Sequence, residues 1–145
     1  MTHAIKQLFH IDAPQSVVFE ALTSIEGLAG WWTTDTTGKS ELDGVISFRF
    51  GPHGGPDMKV IAMEPNKSVT WQCVASNHGW EGHTFSFHLD QNEEKTRVRF
   101  AHSGWEAYDD FYALCSFSWG QYMESLRQLC QTGIGKAFGS ETFRG

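Results

Sequence analysis

Apolar and polar residues alternate over residues 5–11, with Ile5, Gln7, Phe9 and Ile11 on one face and Lys6, Leu8 and His10 on the other, which predicts a strand. Asp12-Ala13-Pro14 stops it, and Pro14 suits the first turn of a helix, where its missing N–H has no partner to lose. Val17, Val18, Ala21 and Leu22 then recur at helical steps to about residue 23, and a second short helix is expected over residues 24–29, ending at Gly30. Trp31-Trp32 follow, and the polar run 33–40 reads as an exposed, mobile loop. From there the period is two. Strands are expected at residues 45–50, 58–63, 69–75, 81–89 and 95–103, separated by turn-rich segments such as Gly51-Pro52-His53-Gly54-Gly55-Pro56 and Asp90-Gln91-Asn92-Glu93-Glu94. With the first strand this makes an antiparallel sheet of about six strands.

The last strand runs into one long amphipathic segment, about residues 106–132, with Phe111, Cys115, Trp119, Tyr122, Leu126, Leu129 and Cys130 as its apolar stripe. No further strand follows, so this helix has to cover the sheet, and the fold class is α+β. Cys115-Ser116-Phe117-Ser118-Trp119-Gly120 places poor helix formers mid-helix, where Gly alone costs about 1 kcal/mol relative to Ala. Two readings stand: a tolerated weak spot, or a close approach or kink that shapes a cavity beneath. Asp109-Asp110 suits the positive end of the helix dipole. Gly133 is the expected C-cap, so the domain spans residues 1–133 and residues 134–145 form a loosely held tail.

If the last hairpin pairs Asp90 with Lys95, then Phe87 opposes Val98, Phe85 opposes Phe100 and His83 opposes His102, all on one side. The apolar members mark that side as the one facing the helix. Val69, Trp71 and Cys73 alternate together on the preceding strand, which brings Cys73 near His83. Zinc held by Cys73, His83 and His102 is one reading, but three residues on neighbouring strands are not a ligand-spacing signature, and no metal or cofactor is assigned. A second makes His83 or His102 a general acid/base with a shifted pKa. The third satisfies both imidazoles with ordinary hydrogen bonds and needs no chemistry. Glu81 and Glu106 can approach the same corner, and His53 is expected to be exposed in its turn.

Composition narrows the classes. In 145 residues there are eleven Phe and six Trp, a high aromatic content that suits a core or an apolar ligand site. The net charge is −6, with no basic run, which argues against a nucleic-acid partner. No apolar stretch reaches the roughly 18 residues of a membrane span. Three widely spaced cysteines make no disulfide framework and the N-terminus has no signal-peptide core, so a cytoplasmic location is expected.

Several of these segments together resemble a known family. Ile11-Asp12-Ala13-Pro14 with Val17, Phe19, Ala21 and Leu22 resembles the opening of the START-like helix-grip (SRPBCC) superfamily. Trp31-Trp32, Glu64-Pro65-Asn66, His102-Ser103-Gly104-Trp105 and Ser118-Trp119-Gly120 with Leu126 are similar to its branch named for the activator of heat-shock-protein-90 ATPase. The resemblance covers about residues 3–133 and rests on order and spacing. It implies a curved sheet gripping the C-terminal helix with an apolar cavity between them, in a superfamily whose members bind lipids, hormones or polyketides or act as cyclases or hydrolases. The chaperone-activating members carry a further N-terminal domain for which 145 residues leave no room, so ATPase activation is not expected.

The reading that follows is a small apolar or aromatic ligand bound under the helix. Its expected lining is Trp32, Phe48, Phe50, Trp71, Cys73, Phe85, Phe87, Phe100, Phe111, Cys115, Trp119 and Tyr122, with His83 and His102 as polar orienting groups. The alternatives are a cyclase- or hydrolase-like enzyme using His83 or His102 as acid/base, and a cochaperone-like interaction protein. Trp31, Trp80 and Trp105 are candidate gates, and an exposed edge at residues 45–50 would suit a homodimer.

Overall fold

The computed structural model describes residues 3–143. Strand β1 (His3–Ile11) is followed by helices α1 (Gln15–Thr23) and α2 (Ile25–Trp31), then strands β2 (Asp35–Gly38), β3 (Val45–Arg49), β4 (Asp57–Glu64), β5 (Ser68–Ala75), β6 (Thr84–Asn92) and β7 (Lys95–Trp105), and finally helix α3 (Asp110–Thr132). The strands form one antiparallel seven-stranded sheet in the order β1-β7-β6-β5-β4-β3-β2. Pro14 is the N-cap of α1, just ahead of the first turn in which it is expected, and Ser24 caps α2 by accepting from the Gly27 N–H at 2.9 Å. Among the described residues no helix is long and apolar enough to cross a membrane.

The seventh strand lies in the run expected to be a mobile loop. Thr33 and Thr36 there are buried, their hydroxyls donating to Arg49 O and Thr33 O at 2.6 Å, which supplies polar partners that an apolar pattern never signals. β2 pairs with β3 along its length, so residues 45–49 are flanked on both sides. The expected edge at β3 is therefore corrected: β1 and β2 are the sheet's edges.

The last hairpin is two residues tighter than a pairing of Asp90 with Lys95 requires. Asn92 pairs with Lys95 across Glu93, whose φ is 58°, so Phe87 opposes Phe100 and Phe85 opposes His102. A slip of two preserves the face, because side chains alternate with a period of two. His83 consequently lies just beyond β6 instead of opposite His102.

The covered face is filled by interlocking rings. Trp71 stacks on Trp32 at 6.0 Å and meets Phe87 at 5.1 Å, Phe87 meets Phe100 at 5.0 Å, and Phe100 meets Trp119 of α3 at 4.6 Å. Phe48, Trp71, Phe85 and Phe87 have no exposed surface at all. α3 begins where Asp109 caps it, its carboxylate accepting from the Tyr112 N–H at 2.9 Å, and ends at Gly133 with φ 87°. It runs unbroken through Gly120, where an added Cβ would meet nothing within 4 Å, so that glycine marks no close approach. Its buried residues are Cys115, Trp119, Met123, Ser125 and Leu126, whereas Phe111 stays 37% exposed.

Residues 134–143 of the expected tail are docked, not loose; residues 144 and 145 lie outside the described residues. Phe138 exchanges backbone hydrogen bonds with the segment after α2, its N–H donating to Trp32 O at 2.9 Å and its carbonyl accepting from the Thr34 N–H at 3.0 Å. Ser125 explains its burial in a helix by bridging: its hydroxyl donates to Trp31 O at 2.8 Å and accepts from the Lys136 N–H at 2.7 Å.

Candidate functional site

At the N-terminal half of α3 the packing opens into a cleft of about 460 Å³. Phe111, Leu114, Cys115, Ser118, Trp119 and Tyr122 form its helical side. The opposite side is the β3–β4 connection (His53, Gly54, Gly55, Pro56) and the β5–β6 connection (Ser76, His78, Trp80), with Trp32, Phe50 and Phe138 completing the lining. The two connections are tied together, since Asn77 Nδ2 and His78 Nε2 both donate to His53 O, at 3.1 and 2.6 Å. A carbonyl only accepts, so the His78 proton sits on Nε2. Gly55 is required where it stands: a Cβ there would lie 2.0 Å from Phe48 O.

Among the described residues no carboxylate, lysine or arginine lines the cleft. Its titratable groups besides the two histidines are neutral at ordinary pH. Burial pushes the Tyr122 hydroxyl up to about 12 and the Cys115 thiol up to about 11. The Trp80 indole N–H is buried without a hydrogen bond of good geometry, although it leans toward the Cys115 sulfur and offsets part of that rise.

Of the residues expected to line a cavity, Trp32, Phe50, Phe111, Cys115, Trp119 and Tyr122 face this cleft. Phe48, Trp71, Cys73, Phe85, Phe87 and Phe100 lie in the core behind it, where rings fill the space between sheet and helix. Among the candidate gates only Trp80 lines the opening. Trp31 is fully buried with its indole N–H on Ala21 O at 2.9 Å, and Trp105 is 5% exposed. Sequence reasoning missed Leu114, Phe138 and the contribution of both loops. The visible signal was the run of apolar residues in the tail, Ile134, Ala137, Phe138 and Phe143.

His83 and His102 do meet, in a chain whose direction is fixed. Trp119 Nε1–H donates to His102 Nδ1 at 3.0 Å, and indole can only donate. The His102 proton is therefore on Nε2, which donates to His83 Nδ1 at 2.9 Å. Burial first, and the neighbouring His83 second, lower the His102 pKa to about 2. Burial also lowers the His83 pKa, against Glu106 and Glu81, whose charges favour the protonated ring. Gly104, at φ 117°, makes room for this corner, because a Cβ there would sit 2.7 Å from His83 Cδ2.

Neither imidazole lines the cleft, and both nitrogens of His102 are engaged. Among the described residues only His83 Nε2 lacks a partner in this pair. Cys73 stands apart from them: its backbone N–H donates to His83 O at 2.9 Å, but its thiol donates to Ala75 O at 3.4 Å and burial raises it to about 11. Among the described residues no three His, Cys, Asp or Glu side chains gather to hold a metal ion.

A sequence model of the family described as Activator of Hsp90 ATPase homolog 1-like protein matches residues 12–131. Among solved structures the chain is similar to the Aha1 dimer from Colwellia psychrerythraea, at 39% identity and a TM-score of 0.84, over 92% of this chain and 99% of that one. Proteins from Staphylococcus saprophyticus (19% identity, TM-score 0.77, covering 93% of this chain and 97% of that one) and Mesorhizobium loti (23%, 0.75, 88% and 96%) share the fold. No curated protein matches the chain.

Proposed function

The chain belongs to the Activator of Hsp90 ATPase homolog 1-like family, and from that premise we propose that it binds a small, uncharged apolar or aromatic molecule in the cleft beside α3. The observation that carries the reading is the cleft's chemistry. Its volume, about 460 Å³, falls in the range of roughly 300–1,000 Å³ typical of ligand sites. Its walls are aromatic, and among the described residues no carboxylate, lysine or arginine stands there to call for a counter-charge. Burial of a flat apolar body against Trp32, Trp119, Tyr122 and Phe50 supplies the affinity, at about 25 cal/mol per Å² of apolar surface removed from water. The ligand sits at the open end of the helix grip, because the space deeper in is occupied by protein rings. The His83–His102 pair orients it only indirectly, by holding Trp119.

Native mass spectrometry of freshly purified protein, followed by titration with the neutral fluorophore N-phenyl-1-naphthylamine, tests this. A co-purifying small molecule, or probe binding that Leu114→Arg abolishes, is the expected result. Probe binding indifferent to Leu114→Arg, or no binding at all, overturns it. The Colwellia protein is a dimer, and we propose the same for this chain, in the cytoplasm. Sedimentation equilibrium reads that out directly, and a monomer across the accessible concentration range counts against it.

A further inference from the structure

The wall of the cleft contributed by Phe138 comes from beyond residues 12–131, the part of the chain matched by the family model. Its support is rigid. Ala137 beside it is 1% exposed, Phe138 is hydrogen-bonded through its own N–H and C=O to Trp32 and Thr34, and Thr33 and Phe138 form a parallel bridge. Upstream, Gly135 is pressed against α2 so closely that a Cβ would lie 2.3 Å from Gly30 O. Downstream, Ser140 N–H donates to Ala137 O at 3.0 Å and Thr142 Oγ1 donates to Gly135 O at 2.6 Å.

A segment anchored this thoroughly for stability alone would bury the ring at the centre of its anchoring, Phe138. Phe138 is instead half-buried, with one side against Phe50 at 5.5 Å and Phe143 at 5.2 Å and its remaining surface on the cleft. The His53 ring lies at the same end, its centroid 6.4 Å from that of Phe138 and its plane nearly perpendicular. A side chain held by a fixed backbone and facing a binding space meets the geometric requirement for setting what fits there.

We propose that the segment after α3 is a ligand-facing wall and that Phe138 sets the length of molecule the cleft accepts. This rests on the ligand-binding reading above. The family-matched helix and sheet supply the aromatic sides, and the C-terminal segment closes one end. Shortening residue 138 extends the cleft, and lengthening it cuts the cleft short.

The test measures Kd for two neutral fluorophores, N-phenyl-1-naphthylamine and the larger Nile red, on the full chain and on Phe138→Ala and Phe138→Trp. Loss of one aromatic contact is expected to weaken the smaller probe about tenfold in Phe138→Ala while Nile red holds or tightens. Phe138→Trp should shift the ratio of the two constants the other way. Exchange of the Thr34 amide hydrogen, which is bonded to Phe138 O, reports whether the segment stays docked. If Phe138→Ala loses that protection, Phe138→Leu replaces it and should move the ratio in the same direction by less. An unchanged ratio in docked variants, with Leu114→Arg still abolishing both probes, overturns the wall while leaving the binding cleft standing. If the wild-type chain binds neither probe, or Leu114→Arg retains both, the cleft reading and the wall fall together.

Discussion

His102 is held between a group that can only donate, the Trp119 indole N–H, and the Nδ1 of His83, which leaves it one neutral tautomer. Adding a proton breaks this chain, because two N–H groups would then face each other. The sign of the pH effect follows. The unfolded imidazole titrates near about 6.5, whereas burial holds the folded one to about 2, so the unfolded chain takes up a proton that the folded chain refuses. The stability contributed by neutral His102 is present above about pH 6.5 and is lost as pH falls toward its folded pKa. The slope in that window is about 1.4 kcal/mol per pH unit. Urea unfolding of the wild-type chain and His102→Gln between about pH 6.5 and 5 should show the steeper loss in the wild type. Equal slopes would contradict the buried neutral assignment. Trp119→Phe, which orphans His102 Nδ1, should cost about 1–3 kcal/mol by the same measurement.

At the level of elements, two glycines of α3 behave oppositely for physical reasons. Gly120 is exposed in the helix interior with open space where a Cβ would go, so Gly120→Ala should stabilise by up to about 1 kcal/mol. Gly133 has equally open surroundings but a φ of 87°, so Gly133→Ala should destabilise by about 1 kcal/mol through backbone strain alone. Thermal melts of the two variants should move in opposite directions. The C-cap was legible because a lone Gly after the last apolar repeat has a local meaning. The role of Gly120 was not, since whether a neighbour approaches a helix cannot be read from that helix.

For the molecule as a whole, core and cleft are adjacent but separable. Phe87 has no exposed surface and does not line the cleft, so Phe87→Ala should cost about 3–5 kcal/mol while leaving probe affinity nearly unchanged. Leu114 is 62% exposed on the cleft, so Leu114→Arg should abolish probe binding with little change in melting temperature. If Phe87→Ala also lost the probe while still folded, the division between the two regions would fail.

The alternation of apolar residues by itself determined the antiparallel sheet, the face it buries and the helix that covers it. A register slip of two in the last hairpin left those faces intact, because the side-chain period is local and equal to two. Caps at Asp109 and Gly133 were equally local. β2 escaped notice because Asp35-Thr36-Thr37-Gly38 has no apolar rhythm; it exists to satisfy the open edge of β3. The docking of Phe138 escaped for the same reason, since its partners are backbone groups of residues 32–34, about a hundred positions away. Where the space lies was the tertiary structure's decision. The same aromatic residues can interlock or stand apart, and here Trp32, Trp71, Phe87, Phe100 and Trp119 interlock, which puts the aromatic cleft where α3 meets two loops and the C-terminal segment.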